Sequence, residues 1–205
     1  MKKILMMLLL AMALLPLAAI STQELYTKLS TAHAKISTYQ ANVSQSNYYP
    51  QLKKTISYSG TMYFSSGKML MSFTKPSVQR MLIEGEAVQL YDAQSNTLFI
   101  GEIMPQFGRM NPLEILQLYW DRSTVSITSQ KGDIVNVSLK PTRDPMLRSL
   151  SAAVNAKTGL LNSVSYQDSG GNSVTYSFSG IKLNGSIPAS VWKYTYPKNV
   201  QIIQQ

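Results

Sequence analysis

Ser173-Val-Thr-Tyr-Ser-Phe-Ser179 places Val174, Tyr176 and Phe178 on one side of an extended chain and hydroxyls on the other. A period of two, rich in β-branched and aromatic side chains, marks a half-buried strand. Lys68 to Thr74 repeats the pattern, with Met69, Met71 and Phe73 sharing a side. Val125 to Thr128, Ile134 to Leu139, Leu161 to Tyr166 and Tyr194 to Tyr196 alternate as well. Gly67, Gly85, Gly132, Gly159, Gly170-Gly171 and Asn184-Gly185 stand at the turn positions between such runs. The pattern predicts a meandering antiparallel sheet, without the strand-helix-strand rhythm of a nucleotide-binding domain.

Two segments interrupt it. Leu25, Leu29, Ala32 and Ile36 recur at spacings of four, three and four, predicting an amphipathic helix from Thr22 to Ser37 capped by Ser21 or Thr22. Asn111-Pro112 announces a second helix: asparagine caps, and proline in the first turn loses no hydrogen bond. Leu113, Ile115, Leu116, Tyr119 and Trp120 give it a broad apolar side. About ten or eleven strands must curl to bury one face, and two helices cannot cover both. A mainly β fold follows: an incomplete antiparallel barrel plugged by helices, its interior either packed or hollow.

Composition narrows the chemistry. Among 205 residues there is no cysteine and one histidine, His33. Thiol nucleophiles, thiolate metal sites and multi-histidine metal centres are excluded. His33 lies off the apolar stripe and reads as a surface residue. No Gly-x-Ser-x-Gly elbow exists for a hydrolase, and Gly170-Gly171 lacks the following Lys-Ser/Thr and helix of a phosphate loop. The chain reads as non-enzymatic, without cofactor. Lys2-Lys3, the apolar run Ile4 to Leu15 and the small residues after Pro16 form a secretory signal over residues 1–19. The run is short beside the roughly 20 residues of a membrane span. One soluble exported domain, 20–205, follows, and its lack of cysteine suits a bacterial envelope. Removing Lys2 and Lys3 takes the formal charge from +9 to +7. The scattered cations favour acidic partners or anionic headgroups over nucleic acid.

Three stretches carry a family likeness. Gly60-Thr-Met-Tyr-Phe64 runs through Met71-Ser-Phe73 to Pro76. Met81 to Asp92 holds an acidic-Gly turn before a strand ending in Tyr91. Asn184-Gly-Ser-Ile-Pro-Ala-Ser-Val-Trp-Lys-Tyr-Thr-Tyr-Pro197 closes the chain with Val200. Together with Asn111-Pro112-Leu113, they make the chain resemble the LolA family of periplasmic lipoprotein carriers. The resemblance implies an incomplete barrel with lid helices over a hydrophobic cavity. It also implies a periplasmic monomer whose partners are acylated lipoproteins, an inner-membrane LolCDE-type transporter and an outer-membrane LolB-type receptor. LolB itself is anchored through a cysteine that this chain lacks.

On that reading Met69, Met71 and Phe73, with Val174, Tyr176 and Phe178, line the acyl-chain site, methionine being adaptable to chains of varied shape. Each set equally describes ordinary core. Leu25, Leu29, Leu113 and Leu116 are the lid residues, or ordinary helix-to-sheet packing. The family's arginine before the aromatic strand is replaced here by Ser65-Ser66-Gly67-Lys68, so a more open lid is expected. A second expectation is a lipid-sensing regulatory module of the same fold. Such relatives usually carry an additional C-terminal domain, whereas this chain stops at Gln205.

Overall fold

The computed structural model describes residues 20–65, 67–102 and 112–205; the expected leader lies outside them. Helix α1 (Thr22–Ala34) leads into β1 (Thr38–Tyr49), β2 (Lys54–Ser65), β3 (Lys68–Lys75), β4 (Gln79–Glu84), β5 (Ala87–Asp92) and β6 (Thr97–Glu102). Helix α2 (Pro112–Trp120) precedes β7 (Ser123–Lys131), β8 (Ile134–Pro141), β9 (Leu147–Asn155), β10 (Leu161–Asp168), β11 (Ser173–Leu183) and β12 (Gln201–Gln204). The strands form one sheet in the order β12-β6-β5-β4-β3-β2-β1-β11-β10-β9-β8-β7. Every neighbouring pair is antiparallel except β12 on β6. Strands β7 and β12 are its two edges, so the barrel is incomplete, as expected; twelve strands replace the ten or eleven read from the sequence.

One face of the sheet curls around a core that takes Val137, Leu150, Val164, Phe178, Val43, Met62, Met71 and Ile83 from successive strands. Leu25 and Leu29 of α1 and Leu116 and Trp120 of α2 join it. Gly60 shows how tightly the strands are drawn together: a Cβ there would stand 2.0 Å from the Ser72 carbonyl oxygen of β3. The β2–β3 register shifts at that residue. Gly159, in the β9–β10 turn, has φ +71° and would bring a Cβ within 2.3 Å of the Lys28 carbonyl, so only glycine lets α1 approach.

Helix α1 is capped as read, the Ser21 hydroxyl accepting from the Glu24 amide at 3.1 Å. It stops at Ala34, three residues early. Ser37 has its amide taken by the Asn184 side chain at 2.8 Å, a tertiary partner that replaces another helical turn. Tyr194–Tyr196 is not a strand. Residues 184–200 cross the outer face of β3–β6 as a strap before β12 joins the edge. Tyr194 and Tyr196 pack on Tyr91 with ring centroids 5.4 and 5.2 Å away, and Pro188 and Pro197 remove ladder donors. Arg80 clasps the strap, its guanidinium 4.7 Å over the Tyr194 ring and donating to the Val191 carbonyl at 3.1 Å.

Candidate functional site

Register assembles the inner face into rows, because directly paired residues point the same way. Ala41 pairs with Met62, Met62 with Met71, Met71 with Met81, Met81 with Leu90, Leu90 with Phe99 and Phe99 with Ile203. The row is apolar across seven strands. Met62 and Met71 are fully buried, Met81 is 8% exposed, Leu90 39% and Ile203 42%. An apolar track thus rises from the core to open surface at the β12 edge. A parallel row pairs Tyr39 with Phe64, Met69, Ile83 and Val88 in turn.

Met69, Met71 and Phe73 lie on this face, as the alternation implies, and all three are buried. Tyr176 and Phe178 share it, and Val174 packs half-buried beside it. Phe178 and Phe73 fall in one row through Val43 and Gly60, so the two predicted sets converge there. Met62, Met81, Leu90, Phe99 and Ile203 were not singled out from the sequence. Only the pairing register, hidden in the turns at Gly67 and Gly85, puts them beside Met71.

Leu25, Leu29 and Leu116 are fully buried beneath the helices. Asn111 and the Leu113 side chain lie outside the described residues. Helix α2 packs on β7, β8 and β10, and α1 on β7 and α2. Tyr26 stacks on Trp120 at 5.1 Å, joining the helices to each other. The Tyr119 hydroxyl donates to Asp144 Oδ2 at 2.6 Å, tying α2 to the β8–β9 connection. Asp144 Oδ1 accepts from the amides of Met146 and Leu147. Partial burial pushes the Asp144 carboxyl up, but these three donors together hold it below its usual value. Burial, then the bond to Asp144, raises Tyr119 to about 12.

Lys68, the cation that stands near the family's arginine position, pairs with Glu84 across β3 and β4, while the Tyr119–Asp144 bond ties α2 to the β8–β9 connection. His33 is also not a surface residue: its Nε2 is buried without a hydrogen-bond partner, and desolvation lowers its pKa. The Tyr39 hydroxyl is likewise buried and unpartnered, and burial raises its pKa. Among the described residues no three His, Cys, Asp or Glu side chains gather to hold a metal.

The outer face differs in kind. Ser126, Ser138, Ser151, Ser165, Thr175, Ser46 and Ser57 pair in sequence across β7 to β2, forming a row of hydroxyls.

Comparisons with known proteins agree with this geometry. An outer-membrane lipoprotein carrier protein of Pseudomonas fluorescens is 32% identical over 63% of this chain and 63% of its own length. One of Pseudomonas putida is 27% identical over the whole of both chains. The crystal structure of an uncharacterized conserved protein from Thermus thermophilus has the same fold, with a TM-score of 0.57 at 13% identity, covering 91% of this chain and 100% of the other. The family model for the outer membrane lipoprotein carrier protein LolA matches residues 34–195, from the end of α1 into the strap, and the chain belongs to that family.

Proposed function

We propose that the protein is a periplasmic carrier that shields the acyl chains of lipoproteins on the inner sheet face while they travel from the inner to the outer membrane. The row from Met62 to Ile203 is the observation that supports this reading most: a continuous apolar track, buried at one end and open at the other. Each CH2 withdrawn from water contributes about 0.8 kcal/mol, so an acyl anchor needs such a surface to cross an aqueous compartment. Three methionines side by side suit a ligand of variable shape, since an unbranched thioether refits at little cost.

Met69, Met71, Phe73, Tyr176 and Phe178, with Val174 at their margin, are the acyl-binding wall in this proposal. Leu25, Leu29 and Leu116 are the lid contacts that cargo displaces. A ligand shifts such an equilibrium only by its differential affinity for the two states, so the helices must gain less from the closed state than the cargo gains by entering. No covalent step is required. Loading by a LolCDE-type transporter and delivery to a LolB-type receptor complete the route.

Native mass spectrometry of the protein recovered from periplasm tests the carrier reading. Bound acylated polypeptides are the expected result. Free lipid alone would make it a lipid shuttle, and a stable protein complex without acyl groups would favour a regulatory module. An engineered disulfide between α2 and the sheet should block uptake until reduced; the chain has no native cysteine to interfere. Uptake through a verified crosslink would leave the lid without a role.

A further inference from the structure

One end of the sheet is built unlike the rest. Between Glu24 and Glu84 the chain has no carboxylate, and Lys53-Lys54 sits in the middle of that stretch, at the tip of the β1–β2 hairpin. The tip is a single 3-10 turn, Pro50–Leu52, opened by tyrosines and closed by the lysines. Leu52 is 72% exposed and Tyr48 42%. Lys53 adopts φ 48°, a left-handed conformation that costs a side chain but is free to glycine, so a lysine there is not a requirement of the turn.

Neighbouring loops extend the feature. Pro50 lies against the β10–β11 turn, 3.4 Å from where a Gly171 Cβ would stand. That turn donates from the Ser169 amide to the Met146 carbonyl in the β8–β9 connection and accepts from Arg148. Met146 is 44% exposed, and Arg143 and Arg148 are exposed beside it. The two carboxylates in these loops are turned to internal work: Asp168 accepts twice from Asn172, and Asp144 holds Tyr119 and two amides. Asp92, at the end of β5, and Asp121, just before β7, stand at the same end of the sheet; Asp92 accepts from Gln79 and from the amides of Gln94 and Ser95. Lys53, Lys54 and Arg143 form no ion pair among the described residues.

We infer that this end docks reversibly on anionic membrane surfaces, Leu52 and Tyr48 entering the headgroup boundary while Lys53, Lys54, Arg143 and Arg148 meet lipid phosphates. An exposed leucine on a convex tip offers a protein partner no groove, whereas aromatic, apolar and basic groups at one level match the layered polarity of a bilayer interface. The opposite end contrasts with it: Lys68 is neutralised by Glu84, and Glu86 and Asp133 stand in the turns.

The test uses cargo-free mature protein, so it stands apart from the carrier reading: loss of cargo binding with vesicle binding intact would sink that reading alone. An environment-sensitive fluorophore on Leu52→Cys should shift to shorter wavelength with vesicles of phosphatidylethanolamine and phosphatidylglycerol. It should not shift with pure phosphatidylcholine. The same label on Lys157→Cys, at the other end, should not respond. Lys53→Asn with Lys54→Gln, which keeps a residue tolerant of the left-handed turn, should weaken sedimentation of the protein with the anionic vesicles by roughly 25-fold, about fivefold for each lysine. Leu52→Asn should weaken it about tenfold. An unshifted Leu52 label, equal response at both ends, unchanged sedimentation of the variants, or binding to acidic proteins without vesicle binding would each overturn the inference.

Discussion

The inner face has two halves that differ in what fills them. Across β8–β10 the buried side chains are Val135, Val137, Leu139, Leu150, Ala152, Val154, Leu161 and Val164, with the helices resting on β7, β8 and β10. Across β2–β4 they are Met62, Met69, Met71, Phe73, Met81 and Ile83, continuing to Leu90 at the open side. Branched residues hold one packing well because few rotamers are open to them; methionine holds several almost equally. The same sheet therefore offers one half suited to holding the fold and another suited to accepting a guest.

The sharpest attempt to break this contrast is Leu150→Ala. On the branched half it should cost about 2–5 kcal/mol in urea unfolding, since a rigid site collapses poorly around a cavity. A loss well under 1 kcal/mol would mean that this half is no firmer than the other. Next in size is Tyr119→Phe, which removes the donor to Asp144 and should cost roughly 1–2 kcal/mol. Hydrogen exchange should then accelerate in α2 well before the β8–β10 strands; uniform acceleration would show that the helix is not a separable part.

Met71→Leu should cost less than about 1.5 kcal/mol, the volume being nearly conserved. Its effect belongs to binding: the range of acyl lengths accepted should narrow, read by competition with fatty acids of graded length. Unchanged range would remove the argument for methionine. Substituting Met71→Glu is less informative, because the side chain is fully buried and the charge would unfold the strand.

The smallest effect concerns acidity. His33 is lowered from 6.5 by burial, so below that pH the unfolded chain takes a proton that the native state refuses. Stability should fall as pH drops from 6.5 towards the lowered value, and His33→Gln should flatten that part of the melting-temperature profile. Asp144 adds a second decline at lower pH: held below 3.8, it contributes above that value and is lost as pH falls through its native one.

The sheet was legible because its strands alternate cleanly, and Met69, Met71 and Phe73 share a face for no reason beyond the pleat. Alternation misled at Tyr194–Tyr196, where three residues are too few to separate a strand from a strap whose rings stack on a distant tyrosine. The contact that anchors α2 was hidden for a different reason. Tyr119 and Asp144 are 25 positions apart, and nothing local to either marks the partner. The Met71 row was half visible: the composition of each strand could be read, whereas the registers that align Met62, Met71 and Met81 depend on turn geometry. His33 was misplaced because the helical stripe gives direction without depth.

The hydroxyl row from Ser126 to Ser57 has a consequence for the medium in which the protein lives. A surface hydrated by neutral donors and acceptors gathers no counterion atmosphere, so its solvation hardly changes with ionic strength. Charged surfaces swell or weaken their contacts as salt varies; this one has no such response. In the periplasm, where the proposed carrier would work, small ions follow the surroundings of the cell. A wide, uncharged back to the sheet keeps that face hydrated alike in dilute and in saline water, and leaves any response to salt to the cationic hairpin end.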